Sequence, residues 1–430
     1  MNKRSLLLSL KIYSYLLLFN AVTGCQSFSA VTEWWSNDQP KVDVISLTLL
    51  QSKPVDDEAA TQLQAVINEF NLVNEAITVT LRYENQYGDL LARSTLSEID
   101  HDLLLIDSFH LPDLAVANAI QPLPPSFTQS SQLRLDDFYP SLLDAFTLNG
   151  ELYCLPNEFR TLAMVYNKAL FDEAGIAYPR EGWTWTEFRA AAEAIADTKN
   201  DFYTTYGFVL STDASRWLPF LYQNGGDLLA ADRKTSIINS DAALSAMNFY
   251  FGLFEDGFAA PTSTFLSSWS GQAFGGGRVG MIVEGNWIQP YLDMEYPQLE
   301  YGIVALPIGS AGPATIAFSS CYALSGQTEN LSEAITLLRY LSTPTTMRRL
   351  NEGNVAAPPR LSLQSEWVQQ NESLLPFLTG GEYARPWRFV PNYQIVIDSI
   401  SSNMKRVLAV EIPTEEVLRV AEELSNEVIE

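Results

Sequence analysis

The chain has 430 residues, of which 47% are hydrophobic and 12% aromatic, and its formal net charge at pH 7 is −25. This composition supplies large hydrophobic cores and excludes an intrinsically disordered chain. The acidic balance argues against nucleic acid as a partner and against direct adhesion to an anionic membrane leaflet, because both need clusters of Lys and Arg.

The start of the chain predicts export. A positively charged segment leads into a mostly apolar stretch at residues 12–19, and a small-residue site at residues 22–25 ends in Cys25. This site resembles a bacterial lipobox, in which the signal is removed and the new N-terminal cysteine is acylated. We therefore predict a lipoprotein signal peptide over residues 1–24 and a polar tether over residues 25–41.

Acylation, including a palmitate chain, makes Cys25 the membrane anchor in this interpretation. Several acyl chains hold a protein stably at a bilayer, whereas one chain is marginal. An uncleaved spanning anchor is the alternative, but a spanning helix needs about 20 apolar residues and Lys11 interrupts this stretch. Removal of the leader takes away three basic residues and changes the net charge from −25 to −28.

The mature fold is predicted to open with a parallel α/β layer. A β-rich run at residues 42–50 is followed by a helix whose residues 63–70 carry the apolar spacing of one buried face. Residues 77–83 alternate as a strand does, and residues 102–107 form a short apolar run typical of a fully buried strand. Strands and helices in this order favour a parallel sheet.

The rest of the chain predicts further helices and short strands. A capping box at residues 184–187 indicates a helix start, and another helix runs from about Asp241 to a stop at Gly257. Strands are predicted at residues 280–284 and 301–306, and helices are predicted to begin at Ser332 and after Pro413. About 390 residues follow the tether. Because a single core stops growing near roughly 250–300 residues, two lobes are expected.

Several segments carry a resemblance to a known family. They are Gly-Glu-Leu-Tyr-Cys-Leu-Pro at 150–156, Met-Val-Tyr-Asn-Lys-Ala-Leu-Phe at 164–171, Ala-Gly-Ile at 174–176, Gly-Trp-Thr-Trp-Thr-Glu-Phe at 182–188, Asn-Gly-Gly at 224–226, the glycine-rich run at 273–281, Glu-Gly-Asn-Trp at 284–287 and the run at 301–307. In this order and spacing they resemble extracellular solute-binding proteins of the maltose-binding type.

The resemblance implies an α/β, two-lobed periplasmic-binding-protein fold of type II, with crossing strands between the lobes and a ligand cleft between them. Lobe 1 is expected to contain residues 42–160 plus 308–343, and lobe 2 residues 161–307 plus 344–430. The implied function is capture of a sugar or oligosaccharide by hinge closure and delivery to the permease subunits of an ABC importer. The implied protein is a monomer without cofactor or metal, held by its anchor at the periplasmic face or cell surface.

Candidate ligand contacts follow from the chemistry of a sugar. Its C–H faces stack on aromatic rings, and its hydroxyls suit planar side chains with several donors or acceptors. Trp287, with Asn286 beside it, follows a strand end, and the resemblance implies that this aromatic residue stacks on the ligand. Arg160 and Asn157 lie on the implied crossing strand. Each has a structural alternative, such as core packing for Trp287 or an ion pair with Glu158 for Arg160.

The other candidates lie at strand ends, before the Asn-Gly-Gly segment or on the return strand that the resemblance implies, or are attractive by residue type. Asp107 and Ser108 follow a buried strand, and loops at the carboxyl ends of strands line ligand crevices in open α/β sheets. Helix capping is their alternative role. The remaining candidates, each with a structural alternative, are Gln51, Trp217, Ser320, Tyr322 and Trp387.

Two other functions remain as alternatives. Some thiamine-degrading enzymes resemble these binding proteins and use a cysteine nucleophile, for which Cys154 is the plausible thiol. Its apolar context raises the pKa of a thiol and blunts its reactivity, so we expect no enzyme. We also favour two small buried thiols at Cys154 and Cys321 over a disulfide. A receptor that senses the ligand is the third interpretation.

Overall fold

The structure is a computed structural model, which describes residues 44–52, 57–96, 98–196 and 204–430. The predicted signal peptide, the tether and Cys25 lie outside these residues. Val44–Glu430 forms a unit of its own. Within the described ranges, no helix combines the length and the apolar character needed to cross a membrane.

The described chain opens with the expected parallel layer. Its elements are β1 (Ile45–Ser52), α1 (Asp57–Val73), β2 (Ile77–Glu84), α2 (Tyr87–Thr95) and β3 (Leu103–Asp107). β1 pairs in parallel with both β2 and β3. The predicted apolar face of α1 is buried, since Leu63, Val66, Ile67 and Phe70 are each at most 4% exposed.

Short elements connect this layer to the rest of the chain: α3 (Leu111–Val116), β4 (Ile120–Gln121), α4 (Pro125–Thr128), a 3₁₀ turn (Leu135–Asp137), α5 (Pro140–Ala145), β5 (Thr147–Leu148) and β6 (Glu151–Leu152). They lead into the long strand β7 (Pro156–Asn167).

The middle of the chain alternates helices with strands. It contains α6 (Lys168–Glu173), α7 (Trp185–Ala196), β8 (Tyr206–Leu210), α8 (Ala214–Gln223), α9 (Asp241–Glu255), β9 (Ala259–Pro261), a 3₁₀ turn (Thr262–Phe265), α10 (Ser270–Gly275), β10 (Val279–Gly285), α11 (Ile288–Glu295), β11 (Tyr301–Val304) and a second long strand, β12 (Thr315–Ser325).

The last part is mainly helical. It contains α12 (Leu331–Leu341), α13 (Pro344–Leu350), a 3₁₀ turn (Leu361–Leu363), α14 (Gln364–Gln370), another 3₁₀ turn (Glu372–Leu374), α15 (Leu375–Gly380), β13 (Ala384–Pro386), α16 (Gln394–Leu408) and α17 (Thr414–Ile429).

The two long strands connect the halves of the sheet, whose order is β2-β1-β3-β12-β7-β10-β8-β9. The start of β7 pairs antiparallel with β12, while its end pairs with β10 and β11. β12 in turn pairs with β3 and, at its own start, with β13. One hydrophobic core packs α1 and α12 against the β1–β3 half. Another packs α7, α8, α9, α16 and α17 against the β8–β10 half.

Local signals placed most helix ends correctly. In the predicted capping box, the Thr184 amide donates to the Glu187 carboxylate at 2.7 Å and the Glu187 amide donates to Thr184 Oγ1 at 3.3 Å. Gly257, beyond α9, has a φ of +79°, which suits the predicted stop. The prediction that Ser332 caps a helix is wrong, because α12 already begins at Leu331 and its N-cap is Asn330.

The expectation of two free thiols is also wrong. Cys154 and Cys321 form a disulfide with a Cα–Cα distance of 5.9 Å. The pairing of β7 with β12 explains it, since Cys321 lies opposite Pro156, two residues after Cys154. The cysteines are 167 residues apart in sequence, so only the sheet brings them together. The Cys154 thiol is therefore not free to act as a nucleophile.

Candidate functional site

A cavity of about 770 Å³ lies beside the crossing strands. Ligand pockets for small molecules typically measure roughly 300–1,000 Å³. Its residues come from the loop before α8 and the first turn of that helix, from the segments after β9 and around the start of α10, from the end of β10 and the turn after it, from β12, from the segment after β13 and from one face of α16. Its aromatic side chains are Trp269, Trp287, Phe318 and Trp387. We call this space the tryptophan cavity.

The Trp287 ring is fixed by the strand end that precedes it. Its Nε1 donates to the Glu284 carboxylate at 3.0 Å. Its six-membered ring lies over Gly285, where an added Cβ would stand only 2.2 Å from a ring carbon. Glycine is therefore required at position 285 for the indole to lie in this position.

An ion pair forms the polar part of the wall beside this ring. Arg216 donates to Glu284 at 2.9 Å, and the two side chains are 13% and 2% exposed. The guanidinium carbon stands 5.5 Å from the Trp287 ring centre, within cation–π range. Burial lowers the pKa of Arg216, but the charges of Glu284 and Asp213 outweigh it and the pKa lies above its ordinary value.

Arg216 also has an unused donor. Its Nε is buried and has no hydrogen-bond partner among the residues that the structure describes. Buried donors are nearly always satisfied in folded proteins, so this unpaired N–H is an exception in the cavity wall. The guanidinium therefore places a fixed positive charge next to an aromatic face.

Three of the aromatic side chains, those of Trp287, Phe318 and Trp387, form a continuous row. The centre of Phe318 lies 6.0 Å from Trp287 and 5.5 Å from Trp387. Trp387 is supported from behind by Phe109, which stacks on it at 5.6 Å. The Trp387 carbonyl accepts a hydrogen bond of 2.9 Å from Ser108 Oγ. The β1–β3 half of the protein therefore helps to hold this ring.

Polar side chains surround the aromatic row. They are Ser211, Thr212, Asp213, Ser215, Thr262, Ser268, Ser270, Gln394, Asp398, Ser401 and Lys405. Hydroxyl, carboxamide, carboxylate and ammonium groups of this kind both donate and accept hydrogen bonds. The cavity thus combines flat apolar faces with hydrogen-bonding edges, and it suits a ligand that presents both.

The predicted residues of the crossing strands lie next to this wall. Arg160 is opposite Phe318 in the β7–β12 pair, and it donates to Glu158 at 2.6 Å while 32% of its side chain stays exposed. Ser320 Oγ donates to the other oxygen of Glu158 at 2.8 Å. The structural alternative for Arg160 is thus present, and its contact with a ligand remains a prediction.

Of the predicted residues, the structure places Trp287 and Trp387 on the tryptophan cavity. Trp217 is fully buried in the helical core instead, and its neighbour Arg216 lines the cavity. Successive residues of a helix point about 100° apart, so the two side chains cannot face the same way. Asn286 is also fully buried and donates to the Val355 carbonyl. It supports the turn and does not line the cavity.

The remaining predicted residues lie outside the tryptophan cavity. Gln51 is buried at the end of β1, opposite Tyr83. Asp107 accepts hydrogen bonds from the His110 amide and its ring Nδ1, at 2.9 and 2.8 Å. Asn157 and Tyr322 line a separate, much smaller cavity of about 10 Å³.

Sequence reasoning missed Arg216, Glu284 and Phe318. Two of them carry a usable signal: Glu284 ends a strand at the Gly-Asn-Trp turn, and Arg216 lies in the first turn of a helix capped by Asp213. Phe318 had no such signal, because it lies within an apolar strand.

Comparison with known proteins agrees with this architecture. Residues 65–376 match the model of a family of bacterial extracellular solute-binding proteins. A binding protein of Brucella abortus (strain 2308) is 25% identical over 336 residues, which cover 76% of this chain and 80% of that protein.

Solved structures of sugar-binding proteins have a similar fold. The cyclic alpha-maltosyl-1,6-maltose binding protein from Arthrobacter globiformis matches with a TM-score of 0.76 at 22% identity, over 90% of this chain and 99% of that chain. The sugar-binding protein MalE from Xanthomonas citri matches with a TM-score of 0.77 at 19% identity, over 89% and 97%. The predicted two-lobed type II fold is therefore confirmed.

Proposed function

The chain belongs to the bacterial extracellular solute-binding proteins, and from this premise we propose that it captures a sugar or oligosaccharide in the tryptophan cavity for delivery to an ABC importer. The observation that carries the proposal is the row formed by Trp287, Phe318 and Trp387 beside the Arg216–Glu284 pair. Aromatic faces match the C–H faces of pyranose rings, and the charged pair matches their hydroxyl edges.

The size of the cavity favours more than one sugar unit. Its volume of about 770 Å³ lies in the upper part of the roughly 300–1,000 Å³ range of ligand pockets. The row of rings extends from Trp287 to Trp387 through Phe318, so adjacent units have separate faces to stack on. Similar proteins in the solved structures are named for maltosyl and maltodextrin ligands, which supports an oligosaccharide.

Capture is proposed to occur by hinge closure. Lobe 1 is taken as residues 42–160 plus 308–343, and lobe 2 as residues 161–307 plus 344–430. A ligand that contacts both lobes stabilises the closed form more than the open form and shifts the population towards it. Arg160, which lies opposite Phe318 in the β7–β12 pair, is the proposed contact from the first lobe, and Trp287 is the proposed contact from the second.

The N-terminal residues complete the proposal. Removal of residues 1–24 and acylation of Cys25 would tether a monomeric binding domain to the outer face of a membrane through residues 25–41. The lipid is then the only membrane contact of this chain, and permease subunits of an ABC importer are its protein partners. No bond of the ligand is broken in this scheme, and no cofactor or metal is used.

Of the two alternatives, the enzyme is disfavoured by a specific observation. A thiamine-degrading mechanism would use Cys154 as the nucleophile, but its sulfur is bonded to Cys321. A sensing receptor would bind the same ligand in the same cavity, and it differs from the proposal only in its membrane partner.

Isothermal titration with a panel of sugars and polyols tests the proposal. The protein is the mature chain with Cys25→Ser, which prevents lipidation. Trp287→Ala is expected to weaken the binding of the ligand so identified by roughly 30-fold, because loss of one stacked aromatic face removes about 2 kcal/mol. The matched control is Trp185→Ala, at a half-buried tryptophan that stacks on Phe249 outside the cavity.

If the Trp287→Ala and wild-type proteins bind the ligand with equal affinity, the tryptophan cavity is not its binding site. If no sugar or polyol in the panel binds but another class of solute does, the tryptophan cavity remains the proposed site, and the proposal that its ligand is a sugar is rejected. Loss of affinity in the Trp185→Ala control as well would show that the Trp287 effect is indirect.

A further inference from the structure

Residues next to Trp387 line a second cavity, of about 330 Å³. Its charged side chains are Arg233, Arg385, Arg388, Asp144 and Asp227, and its other residues are Tyr222, Leu229, Ala230, Ala231, Pro386 and Phe389. We call it the arginine cavity. Because Trp387 lines the tryptophan cavity while its neighbours line this one, the two cavities are different sites on one segment.

The carboxylates of the arginine cavity pair only weakly with its guanidinium groups. Asp144 Oδ2 lies 3.2 Å from Arg388 and 3.5 Å from Arg233, so one oxygen serves both. The Asp144 side chain is 56% exposed, and solvent screens its charge. Arg385 lies 3.9 Å from Asp227, beyond hydrogen-bond distance.

Arg388 is the most deeply placed of these cations. Its side chain is 5% exposed, and its Nε has no hydrogen-bond partner within the described part of the chain. Burial, followed by the charge of Arg233, lowers the pKa of Arg388 to about 10. A buried cation with an unused donor is unfavourable unless an anion or acceptor completes its hydrogen bonds.

The clustering of these arginines contrasts with the composition of the chain. Acidic residues number 51 against 26 Lys and Arg, which gives the net charge of −25. A surface selected only for solubility in such a chain has no need of arginines gathered at one concave site. The planar guanidinium fork binds oxyanions with two parallel hydrogen bonds, which a lysine cannot do.

We propose that the arginine cavity binds a small tetrahedral oxyanion of the phosphate or sulfate class, through Arg385 and Arg388 with support from Arg233. The anion accepts from the exposed guanidinium of Arg385 and lies against the buried guanidinium of Arg388, and it neutralises charge that Asp144 and Asp227 leave uncompensated. The site is independent of the tryptophan cavity, and its existence does not depend on the identity of the sugar.

Isothermal titration of the mature Cys25→Ser chain with inorganic phosphate, and separately with sulfate, tests the site. Sodium chloride of matched ionic strength is the reference for general salt effects. Saturable binding of one anion per chain is expected. Arg385→Gln is expected to weaken it by about tenfold or more, the usual effect of losing a hydrogen bond to a charged group. Because the Arg385 side chain is 59% exposed, this variant is expected to fold.

The matched control is Arg419→Gln, which removes the same charge from an exposed ion-pair cluster on α17. Its anion affinity is expected to equal that of the wild type. Asp144→Asn is expected to raise the anion affinity, in contrast to Arg385→Gln, because it removes the carboxylate that pairs with Arg233 and Arg388.

Absence of saturation beyond the chloride reference would overturn the proposal. So would equal losses of affinity in Arg385→Gln and Arg419→Gln, since these would reflect net charge alone. Weaker anion binding in Asp144→Asn would likewise contradict the geometry, because that carboxylate competes with the anion for the same donors.

Discussion

Removal of the Cys154–Cys321 disulfide is expected to lower the free energy of unfolding by as much as about 5 kcal/mol. The cross-link closes a loop across a sequence separation of 167 residues. In the chain-entropy model, the entropy that a disulfide removes from the unfolded chain grows with the logarithm of loop length. At this length and 25 °C it corresponds to roughly 5 kcal/mol, against about 4.7 kcal/mol for a 100-residue loop.

The position of the disulfide argues for an effect within the observed range of about 2–5 kcal/mol for native disulfides. Both cysteines are fully buried in one hydrophobic cluster, with Ile106 and Phe146 among their neighbours. Cys321 belongs to β12, and Cys154 lies two residues before β7, so the bond joins one crossing strand to the segment that leads into the other. The native sheet keeps these strands together without the bond, and the main effect is therefore on the unfolded chain.

Urea unfolding measures this effect directly. The samples are the oxidised Cys25→Ser protein, the same protein under reductant, and a Cys154→Ala, Cys321→Ala double variant. The reduced protein and the double variant are expected to unfold at similar, lower urea concentrations. A double variant within about 1 kcal/mol of the oxidised protein, well below the usual 2–5 kcal/mol, would refute the reasoning, as would two titratable thiols in the native oxidised chain.

Further predictions concern the strand end and a histidine. Gly285→Ala is expected to displace the Trp287 ring, whose carbon lies 2.2 Å from the new Cβ position, and to weaken sugar binding without loss of fold; unchanged affinity in titration would contradict this. Burial opposes protonation of His110, but the hydrogen bond and charge of Asp107 raise its pKa above the ordinary value. The contribution of this pair to the free energy of unfolding is therefore fully present below about pH 6.5. It is lost as the pH rises through the raised pKa of His110. His110→Gln should therefore destabilise more at pH 6 than at pH 9 in urea unfolding, and an equal loss at both values would exclude the Asp107–His110 pair as its source.

Local sequence patterns predicted the helices and strands well, because these elements depend on interactions between residues that are close in sequence. The α1 face and the Thr184–Glu187 capping box involve residues three or four apart, and the structure has both. The disulfide was not predictable in the same way, because it depends on strand pairing between distant segments. Its formation followed from the β7–β12 register, which no local spacing encodes.

Sequence patterns also predicted some residues of the candidate site and misplaced others. The family resemblance, together with a Gly-Asn turn at a strand end, predicted Trp287 as a ligand contact, and the structure places this residue on the tryptophan cavity. The prediction at α8 fell on Trp217, one residue after Arg216, and a shift of one residue turns a helical side chain by about 100°. Residue type favoured Trp217 as a ligand contact, but in α8 it is the side chain of Arg216 that faces the cavity. A tryptophan followed by apolar residues, here Leu218, Pro219 and Phe220, indicates burial more strongly than ligand contact.

The geometry of the cavity relates ligand binding to the arrangement of the sheet. Trp287 follows β10, Phe318 belongs to β12, and Trp387 follows β13, so each ring is carried by a different strand. Each ring also contacts its neighbour, at 6.0 Å and 5.5 Å between centres. A small shift between β10 and β12 therefore changes the spacing of the stacking faces. The oligosaccharide that we propose as ligand has rings of fixed spacing, so it is expected to bind best to one arrangement of these strands, and its binding energy is then available to select that arrangement.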